Sequence, residues 1–477
     1  MTSYETVIGL EIHAQMNTKT KMFCACSNDS FGAKPNVNVC PICMGFPGML
    51  PATNKKAIKK GVRTALAFRC NIPEFSKFDR KNYFYPDLPL GFQISQFDEP
   101  VSEKGYVEIE TKEGLKKIGI TRVHIENDAG KLTHTNGGSL VDFNRAGSPL
   151  MEIVTDPDMR SSEEAKTFAK MVQAILRTIG TSEADMEKGM MRFDASISTR
   201  PHGETKLYPR AEIKNLNSFR SLETALEYEI KRQINLWEEG NPLDGDITVG
   251  WLDDQQKTKL LRDKESSADY RYFPEPDLPP LVMDPQEIEE MKANIPELPL
   301  EKRQKFIEKY NISEEEALFF SEDPKLADFF EEVAETTKEP QKSASFVGTI
   351  LLGRLKNDNK NLQDCQITAQ QMAQLVTLVE EGAISNNQAK GVVFEAMFET
   401  GKDPEKIIEE KGLKQVSDTG AIEAIVDQVL SENPSAVEDF KTGKGNVLGF
   451  LIGQVMKASK GQANPGMVNE IMRKKLS

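Results

Sequence analysis

The sequence is poor in several residue types and patterns that define whole classes of proteins. Its 477 residues include 4 histidines and 2 tryptophans, and aromatic residues make up 7%. No apolar run approaches the roughly 20 residues that a membrane-spanning helix requires. The first residues lack the basic region and apolar stretch of a secretory signal. These absences argue against a membrane protein and predict a cytoplasmic one.

Several catalytic motifs are also missing. The chain has no G-x-x-x-x-G-K-[ST] phosphate-binding loop and no protein-kinase signature set, so any ATP site must be of another design. It has no G-x-S-x-G nucleophile elbow and no cysteine in a setting typical of a catalytic nucleophile. We therefore expect no hydrolytic nucleophile in this chain.

Positive charge is scarce overall and concentrated at one end of the chain. The net charge of −14 argues against nucleic-acid binding, because affinity for phosphates comes largely from lysine and arginine. Residues 441–477 nevertheless carry seven basic residues against one acid, a charge of +6 that leaves −20 for residues 1–440. The C-terminal end is therefore a distinct basic module.

Four of the six cysteines form a cluster, whereas Cys70 and Cys365 stand alone. The clustered residues follow a C-x-C…C-x-x-C pattern within 20 residues and are Cys24, Cys26, Cys40 and Cys43. In a reducing compartment such thiols seldom form disulfides, so the spacing predicts a closed, structural zinc site. Redox pairs or plain buried thiols are the alternative, because zinc ribbons usually begin with C-x-x-C.

Proline-rich connections divide the chain into three predicted domains. The stretches 274–280 and 296–299 carry more prolines than a helix or strand tolerates, which places a boundary near residue 295. Strand-like and loop segments alternate before it, and helical periodicity with repeated capping signals follows it. We predict an α+β fold, with a mainly antiparallel-sheet domain over 1–295, a helical domain over 296–404 and a helical tail domain over 405–477.

Four strand-like segments repeat one pattern, in which aliphatic residues alternate with polar ones. Since successive side chains of a strand point to opposite faces, each segment gathers its polar residues on one face. Each polar face includes a carboxylate. The polar residues are, segment by segment, Glu11 and His13; His124 and Glu126; Arg192, Asp194, Ser196 and Ser198; and Glu212 and Lys214.

The carboxylates and imidazoles of these faces are groups that bind divalent metals. Carboxylates on neighbouring strands would repel one another unless a cation neutralised them, so we predict a divalent-metal cradle. Phosphoryl transfer is the reaction class that combines such a cradle with cationic groups. Cations are available in the segment 77–87 and at Arg210 and Lys214. The alternative is a sheet with one solvated face.

Several blocks of unusual composition, spread nearly end to end, are similar to those of one known family. They include Glu5-Thr-Val-Ile-Gly-Leu-Glu-Ile-His13 and Asp269-Tyr-Arg-Tyr-Phe-Pro-Glu-Pro-Asp277. The remaining blocks are the segments 77–87, 93–98, 128–131, 142–149, 214–219 and 453–465. In these segments the chain closely resembles the B subunits of the bacterial aspartyl/glutamyl-tRNA(Asn/Gln) amidotransferases.

The resemblance implies an enzyme of three different subunits, in which the A subunit releases ammonia from glutamine and the C subunit braces the other two. The B subunit transfers the γ-phosphate of ATP to the side-chain carboxylate of glutamate or aspartate esterified to tRNA. Ammonia then displaces the phosphate and gives Gln-tRNA(Gln) or Asn-tRNA(Asn). The implied partners are the A and C subunits and the mischarged tRNA, and the implied cofactor is Mg²⁺, with ATP as a substrate. The structural Zn²⁺ is expected from the cysteine spacing and not from the resemblance.

The resemblance also assigns roles to individual residues. Mg²⁺ ligands are implied at Glu11, His13, Glu126, Asp194 and Glu212. Contacts to phosphate or substrate are expected from Arg80, Lys81 and Lys214. Asn127 stands where some relatives carry an acid, so we expect no ligand role for it. The four-cysteine cluster varies among members of the family, so zinc remains a property to test in this chain.

The basic C-terminal module is expected to contact the body of the tRNA through its lysines. These are Lys441, Lys444, Lys457 and Lys460. Alternatively, they serve only to solubilise the terminal helices.

When the resemblance is left aside, the residues also fit two other functions. A metal-dependent nuclease acting on RNA would also use an acidic cradle, with two metals bridged by carboxylates. A tRNA-binding scaffold would leave the polar faces solvated and would need neither Mg²⁺ nor ATP. The residues allow one or two Mg²⁺ ions and do not distinguish Glu-tRNA(Gln) from Asp-tRNA(Asn) as the substrate.

Overall fold

The chain forms two compact units. The computed structural model describes residues 3–263, 269–414, 419–441, 447–459, 463 and 465–476. The units are Met1–Glu301 and Lys302–Ser477, so their border lies close to the boundary expected near residue 295. None of the helices in these described ranges combines the length and apolarity needed to cross a membrane.

The first unit is built on β-strands. They are β1 (Tyr4–Gln15), β2 (Phe75–Ser76), β3 (Asp79–Asn82), β4 (Phe92–Ser95), β5 (Gly105–Thr111), β6 (Gly114–Asn127), β7 (Lys131–Thr135), β8 (Gly138–Asp142), β9 (Pro149–Thr155), β10 (Met191–Pro201), β11 (Ala211–Leu216), β12 (Ile247–Leu252), β13 (Lys257–Asp263), β14 (Phe273–Pro274) and β15 (Leu281–Val282). One large sheet has the order β13-β12-β11-β10-β1-β9-β6-β5. Smaller sheets are β14-β3-β4, β15-β2 and β7-β8.

Antiparallel pairing dominates these sheets. Among the strands described, β11 and β12 are the one parallel pair. β1 lies in the middle of the large sheet, antiparallel to β10 on one side and to β9 on the other. The expected α+β class with a mainly antiparallel sheet is therefore confirmed.

Helices cover the apolar face of the large sheet. The helices of this unit are α1 (Lys55–Ala67), α2 (Ser162–Thr178), α3 (Phe219–Glu238) and α4 (Pro285–Ala293). Helix α2 contacts β1 and β5, and α3 contacts β10 and β11. The aliphatic residues Ile8, Leu10 and Ile12 of β1 share one core with Phe168 and Leu222 of these helices. Since burial against helices takes up this face, the polar residues of the strands are gathered on the other face.

The second unit consists of helices. They are α5 (Pro299–Tyr310), which begins at the border, α6 (Glu314–Ser321), α7 (Pro324–Thr336), α8 (Pro340–Ser345), α9 (Leu352–Asn357), α10 (Ala369–Glu380), α11 (Asn386–Gln388), α12 (Phe394–Thr400), α13 (Pro404–Lys411), α14 (Thr419–Glu432), α15 (Pro434–Lys441), α16 (Val447–Ala458) and α17 (Pro465–Leu476). Short π-helical segments join α8 to α9 and α11 to α12.

The helix ends follow the capping signals of the sequence. Capping boxes at Ser313, Thr368 and Ser385 open α6, α10 and α11, because each side chain accepts a hydrogen bond from the backbone N–H three residues later. Gly401 ends α12 with φ +65°, a left-handed conformation that glycine adopts without strain.

The described residues of the helical unit form two separate hydrophobic cores. One includes Phe330 and Leu375, and the other includes Val426 and Met472. Ile407 and Ile408 of α13 belong to the first of these cores, so α13 packs with the helices before it. The proposed division of the helical and tail domains between residues 404 and 405 stays a prediction.

Gly105, at the start of β5, is packed too tightly for a side chain. A Cβ atom there would lie 2.5 Å from the Phe68 carbonyl oxygen and 2.8 Å from the Cys70 Cα, which are backbone atoms that move only with the chain. We expect Gly105→Ala to lower the free energy of unfolding of the first unit by about 1–3 kcal/mol, the usual cost of overpacking. Urea unfolding followed by tryptophan fluorescence measures the change.

The matched control is Gly245→Ala, because a Cβ at Gly245 meets nothing within 4 Å. Its free energy of unfolding should stay within about 0.5 kcal/mol of the unsubstituted protein. Equal stability of the two variants would contradict the packing argument.

Candidate active site

The polar faces of β1, β10 and β11 lie side by side in the large sheet. The register sets Glu11 opposite Asp194, and it sets Ser196 opposite both Gly9 and Glu212. Residues that are directly opposite in antiparallel strands project to the same face. Three of the carboxylates selected from the sequence therefore share one surface of the sheet.

The fourth strand selected from the sequence, β6, does not pair with β1, because β9 lies between them. Glu152 of β9 is opposite His13 on one side and opposite His124 on the other. The sequence analysis missed Glu152. The alternation of polar and aliphatic residues could have identified Glu152 too, since Met151 and Ile153 on either side of it are buried in the core.

His13 lies at the centre of the resulting group. Its Nε2 atom is 3.6 Å from Glu11 Oε1, 3.5 Å from Glu152 Oε2 and 4.0 Å from Glu126 Oε1. His124 Nε2 lies 3.3 Å from the same oxygen of Glu152. We use the term acidic cluster for Glu11, His13, His124, Glu126, Glu152, Asp194 and Glu212.

Ion pairing keeps the innermost groups of the acidic cluster charged. Burial favours the neutral form of Glu126 and Glu152, but His124 outweighs it, so the pKa of Glu126 is lowered and that of Glu152 is well below its ordinary value. Burial likewise opposes protonation of His124, yet Glu152 and Glu126 raise its pKa to about 9. At neutral pH these groups are therefore carboxylates paired with an imidazolium.

The surroundings of Glu11 and His13 raise the pKa of both groups. Burial and the charge of Glu152 raise the pKa of Glu11. Burial and Arg192 disfavour protonation of His13, but its hydrogen bond to Glu152 and the charges of Glu152 and Glu126 raise its pKa overall. Charges of opposite sign, from Arg192 and from Glu126 and Glu152, therefore act on His13.

The donor set suits a hard divalent cation. Potential ligand atoms converge in two groups of three residues, and within each group they lie within 4.8 Å of one another. One group is Glu11, His13 and Asp194, and the other is His13, Glu126 and Glu152. Glu126 and Glu152 are 2% and 5% exposed, and carboxylate oxygens are the ligands that Mg²⁺ prefers. His13 Nδ1 is buried and has no hydrogen-bond partner among the residues described. These residues therefore fit the metal expected from the sequence.

Lys214 and Lys81 bring positive charge to the acidic cluster. Lys214 Nζ lies 2.9 Å from Asp194 Oδ2 and 3.0 Å from Glu212 Oε1. Burial opposes the charge of Lys81, but the carboxylates of Glu126 and Glu152 outweigh it and raise its pKa. Both lysines stand where the sequence analysis placed cations.

Arg80 faces away from the acidic cluster, although it neighbours Lys81 on β3. Its guanidinium donates to both carboxylate oxygens of the buried Glu275, at 2.7 and 2.8 Å, and to Asp277 at 3.2 Å. Its carbon Cζ also lies 4.3 Å from the ring centre of Phe92. These partners engage the guanidinium of Arg80, and the substrate contact expected of Arg80 stays a prediction.

Asn127 has a structural role. Its side-chain oxygen accepts a hydrogen bond from the backbone N–H of Ile94 at 2.7 Å, and its carbonyl oxygen accepts one from Gln93 Nε2 at 2.9 Å. These bonds tie β6 to β4.

An open cavity of about 190 Å³ adjoins the acidic cluster on the same sheet face. Its polar lining comes from Glu11, Glu212, Ser196, Ser198 and Arg210, and its apolar lining includes Val7, Leu10 and Leu207. The cavity therefore offers hydroxyl and guanidinium groups next to carboxylates, which can hold phosphate groups beside a cation.

The four clustered cysteines form a second potential metal site. The sulfur atoms of Cys24, Cys26, Cys40 and Cys43 lie within 4.8 Å of one another. The hydrogen bond from Cys24 helps to lower the pKa of Cys43 to about 5, so Cys43 is a thiolate at neutral pH. The fully buried Lys21 donates to Cys43 Sγ at 3.7 Å. A thiolate among four converging sulfurs is what a zinc site requires.

Most of the C-terminal lysines proposed to contact RNA lie, at least in their side chains, outside the described residues. Lys444 and Lys460 lie outside the described residues, and so does the side chain of Lys441. Lys457 is exposed in the last turn of α16. The predicted RNA contact of these four lysines stays a prediction.

Comparisons with known proteins identify the family of the chain. The family model for the GatB/GatE catalytic domain matches residues 6–289, and the model for the GatB domain matches residues 328–476. The chain is 47% identical over 482 residues to the B subunit of the aspartyl/glutamyl-tRNA(Asn/Gln) amidotransferase of Carboxydothermus hydrogenoformans, covering 100% of both chains.

Two further relatives carry the same name. The protein of Thermoanaerobacter pseudethanolicus is 48% identical over 99% of both chains. That of Brevibacillus brevis is 45% identical over 100% of both. The resemblance found in the sequence is thereby confirmed, and the chain belongs to the GatB/GatE family.

Proposed function

We propose that this chain is the component of a tRNA-dependent amidotransferase that activates the side-chain carboxylate of glutamate or aspartate esterified to tRNA. ATP supplies the phosphoryl group, and ammonia from a partner glutaminase then displaces the phosphate. The products are Gln-tRNA(Gln) and Asn-tRNA(Asn), and the protein partners are the A and C subunits. The cytoplasm is the compartment that we propose for this reaction.

The observation that carries this proposal is the acidic cluster, which joins carboxylates of neighbouring strands to two lysines. A transferring phosphoryl group and the attacking carboxylate are both negative, so the reaction needs positive charge that is already positioned. When bound, Mg²⁺ would supply charge neutralisation between the phosphates and the carboxylates. The proposed ligands are Glu11, His13, Glu126, Glu152, Asp194 and Glu212.

The two lysines would serve different parts of the substrates. Lys214 is held by Asp194 and Glu212 at the edge of the open cavity that Glu212 lines, where it can meet a phosphate oxygen. Lys81 lies beside Glu126 and Glu152, where its charge can orient the carboxylate to be activated. His124 keeps the Glu152 oxygen in place through the 3.3 Å contact.

We propose two further assignments that extend beyond the reacting groups. Zinc, bound by the four clustered cysteines, would hold the segment 24–43 in place as a closed structural site. The basic tail would contact the body of the tRNA through its lysines, which would offset the charge of −20 on residues 1–440.

Replacement of Glu152 tests the acidic cluster. Glu152→Gln keeps the size of the side chain but removes a charged oxygen that is proposed to bind Mg²⁺, so the cation that would compensate the transition-state charge is held less well. We expect kcat for amidated tRNA to fall by about 10²–10³ or more, with tRNA affinity largely unchanged. The assay uses the chain co-expressed with its candidate A and C partners, with mischarged tRNA, ATP, Mg²⁺ and either glutamine or ammonium.

Glu163→Gln is the control, because Glu163 is an exposed residue of α2 whose partner is the exposed Lys112. Its kcat should match that of the unsubstituted protein. Full activity of Glu152→Gln would refute the cluster assignment. Shortening of the RNA without ATP would instead indicate a nuclease.

Loss of one cysteine tests the zinc assignment. A closed site loses its metal when one ligand is removed, so Cys40→Ser should lower the zinc content from about one ion per chain and lower the Tm. Cys365→Ser is the control for the zinc content, since Cys365 lies in the second unit, partly buried against its hydrophobic core. Elemental analysis of protein purified without chelator measures the metal. Zinc-free unsubstituted protein would rule the site out.

Removal of the tail tests its RNA contact. A chain ending at residue 414 keeps α13 in its core and lacks the basic module, so it should bind fewer phosphates and still keep the acidic cluster. The slope of log affinity against log salt should become shallower by roughly one unit for each phosphate that the shortened chain no longer binds. Superimposable salt curves for the full and shortened chains would show that the tail does not touch RNA.

A further inference from the structure

Four aromatic side chains form a continuous series beside the acidic cluster. Consecutive ring centres are 6.1 Å apart from Tyr83 to Tyr270, 6.1 Å from Tyr270 to Tyr272 and 4.3 Å from Tyr272 to Phe97. The rings of Tyr272 and Phe97 are stacked, with an angle of 9° between their planes. We call these four residues the aromatic row.

The outer end of the aromatic row faces solvent. Phe97 is 57% exposed, and it presents the face of its ring that Tyr272 does not cover. Phe84 and Tyr85, which follow Tyr83 in the chain, are 83% and 55% exposed. Aromatic rings normally dominate cores and interfaces, so a group left this exposed indicates a surface that another molecule covers.

Hydrogen bonds of the backbone hold the aromatic row in place. The N–H of Asn82 donates to the carbonyl oxygen of Tyr270 at 2.9 Å, which fixes the two segments that carry the tyrosines. The N–H of Phe97 donates to the carboxylate of Asp79 at 3.0 Å. The surface is therefore ordered before any ligand arrives, which reduces the entropy cost of binding.

Lys81 connects the aromatic row to the acidic cluster. The Nζ atom of Lys81 lies 5.0 Å from the ring centre of Tyr270, and the charges of Glu126 and Glu152 act on this lysine. A ligand whose reacting end lies at the cluster would therefore extend past Lys81 onto the row.

The ligand that fits such a surface is a strand of unpaired nucleotides. In an aminoacyl-tRNA the amino acid is esterified to the last ribose of an unpaired 3′ end. If the amino acid lies at the acidic cluster, the bases of that end lie close beside it. Proteins bind unpaired bases by stacking them on aromatic rings and by placing lysines near the phosphates. Lys81 lies against the ring of Tyr270 and supplies such a charge.

We propose that the aromatic row stacks the unpaired 3′-terminal bases of the tRNA, with Phe97 as the outermost platform. This inference rests on the proposed function, because it requires the aminoacyl group to lie at the acidic cluster. The row adds affinity for the end of the tRNA and directs the amino acid toward Lys81. It takes no part in the phosphoryl transfer.

The test measures stacking directly. The probe is a tRNA transcript with 2-aminopurine in place of an unpaired 3′-terminal base, whose fluorescence falls when the base stacks on an aromatic ring. The full chain should quench the probe. Phe97→Leu keeps an apolar side chain but loses the ring face, so we expect weaker quenching and an affinity for the transcript reduced by roughly 10- to 100-fold. Phe97→Trp should retain both.

Phe75→Leu is the matched control, because Phe75 is an exposed phenylalanine, 43% exposed, that lies on β2 of the same unit. It should leave quenching and affinity unchanged. A second transcript, trimmed of its unpaired 3′ nucleotides, should bind the unsubstituted chain and Phe97→Leu equally well. Equal loss of affinity for both transcripts would overturn the proposal, since the row would then contact another part of the RNA.

Two remaining outcomes are also decisive. Unchanged quenching in Phe97→Leu together with weaker assembly with the partner glutaminase would assign the row to a protein partner and overturn the proposal. Failure of the proposed function would appear in a different experiment, as absence of amidated tRNA from the assembled complex. If the complex cannot amidate tRNA but still quenches the probe in a way that depends on Phe97, the proposed function is refuted. The stacking of RNA bases on the aromatic row is then still supported.

Discussion

Charge compensation across β1, β9 and β6 is the constraint on which the catalytic unit depends. Glu126 and Glu152 are both buried, and two carboxylates in a poorly solvated site would repel each other strongly. His124 and His13 approach the same Glu152 oxygen at 3.3 and 3.5 Å. The large sheet can keep this acidic face because its opposite face is packed against helices, which leaves the polar side chains to balance one another.

Alternation of polar and aliphatic residues predicted much of this site from the sequence. Glu11, Asp194 and Glu212 came from strands that proved adjacent, and the capping boxes at Ser313 and Thr368 appear as expected. Strand order is a different matter, because it depends on long-range pairing that local periodicity does not encode. Since β9 was not recognised between β1 and β6, its glutamate went unnoticed.

Neighbouring cations in a strand can have different surroundings. Arg80 and Lys81 follow each other on β3, so their side chains point to opposite sides. Arg80 is paired with Glu275 and Asp277, and Lys81 lies beside the acidic cluster. The sequence showed that both residues are basic, but the partners of Arg80 lie about 195 residues further along the chain.

The central place of β1 in the large sheet also has a consequence for how the chain folds during its synthesis. β1 comprises residues Tyr4–Gln15, yet its partners are β9 at Pro149–Thr155 and β10 at Met191–Pro201. The ribosome therefore releases the first strand long before either neighbour exists. Pairings of such large sequence separation form slowly, and an apolar strand without partners is prone to aggregate. The nascent chain is thus most prone to aggregation until β10 has emerged from the ribosome.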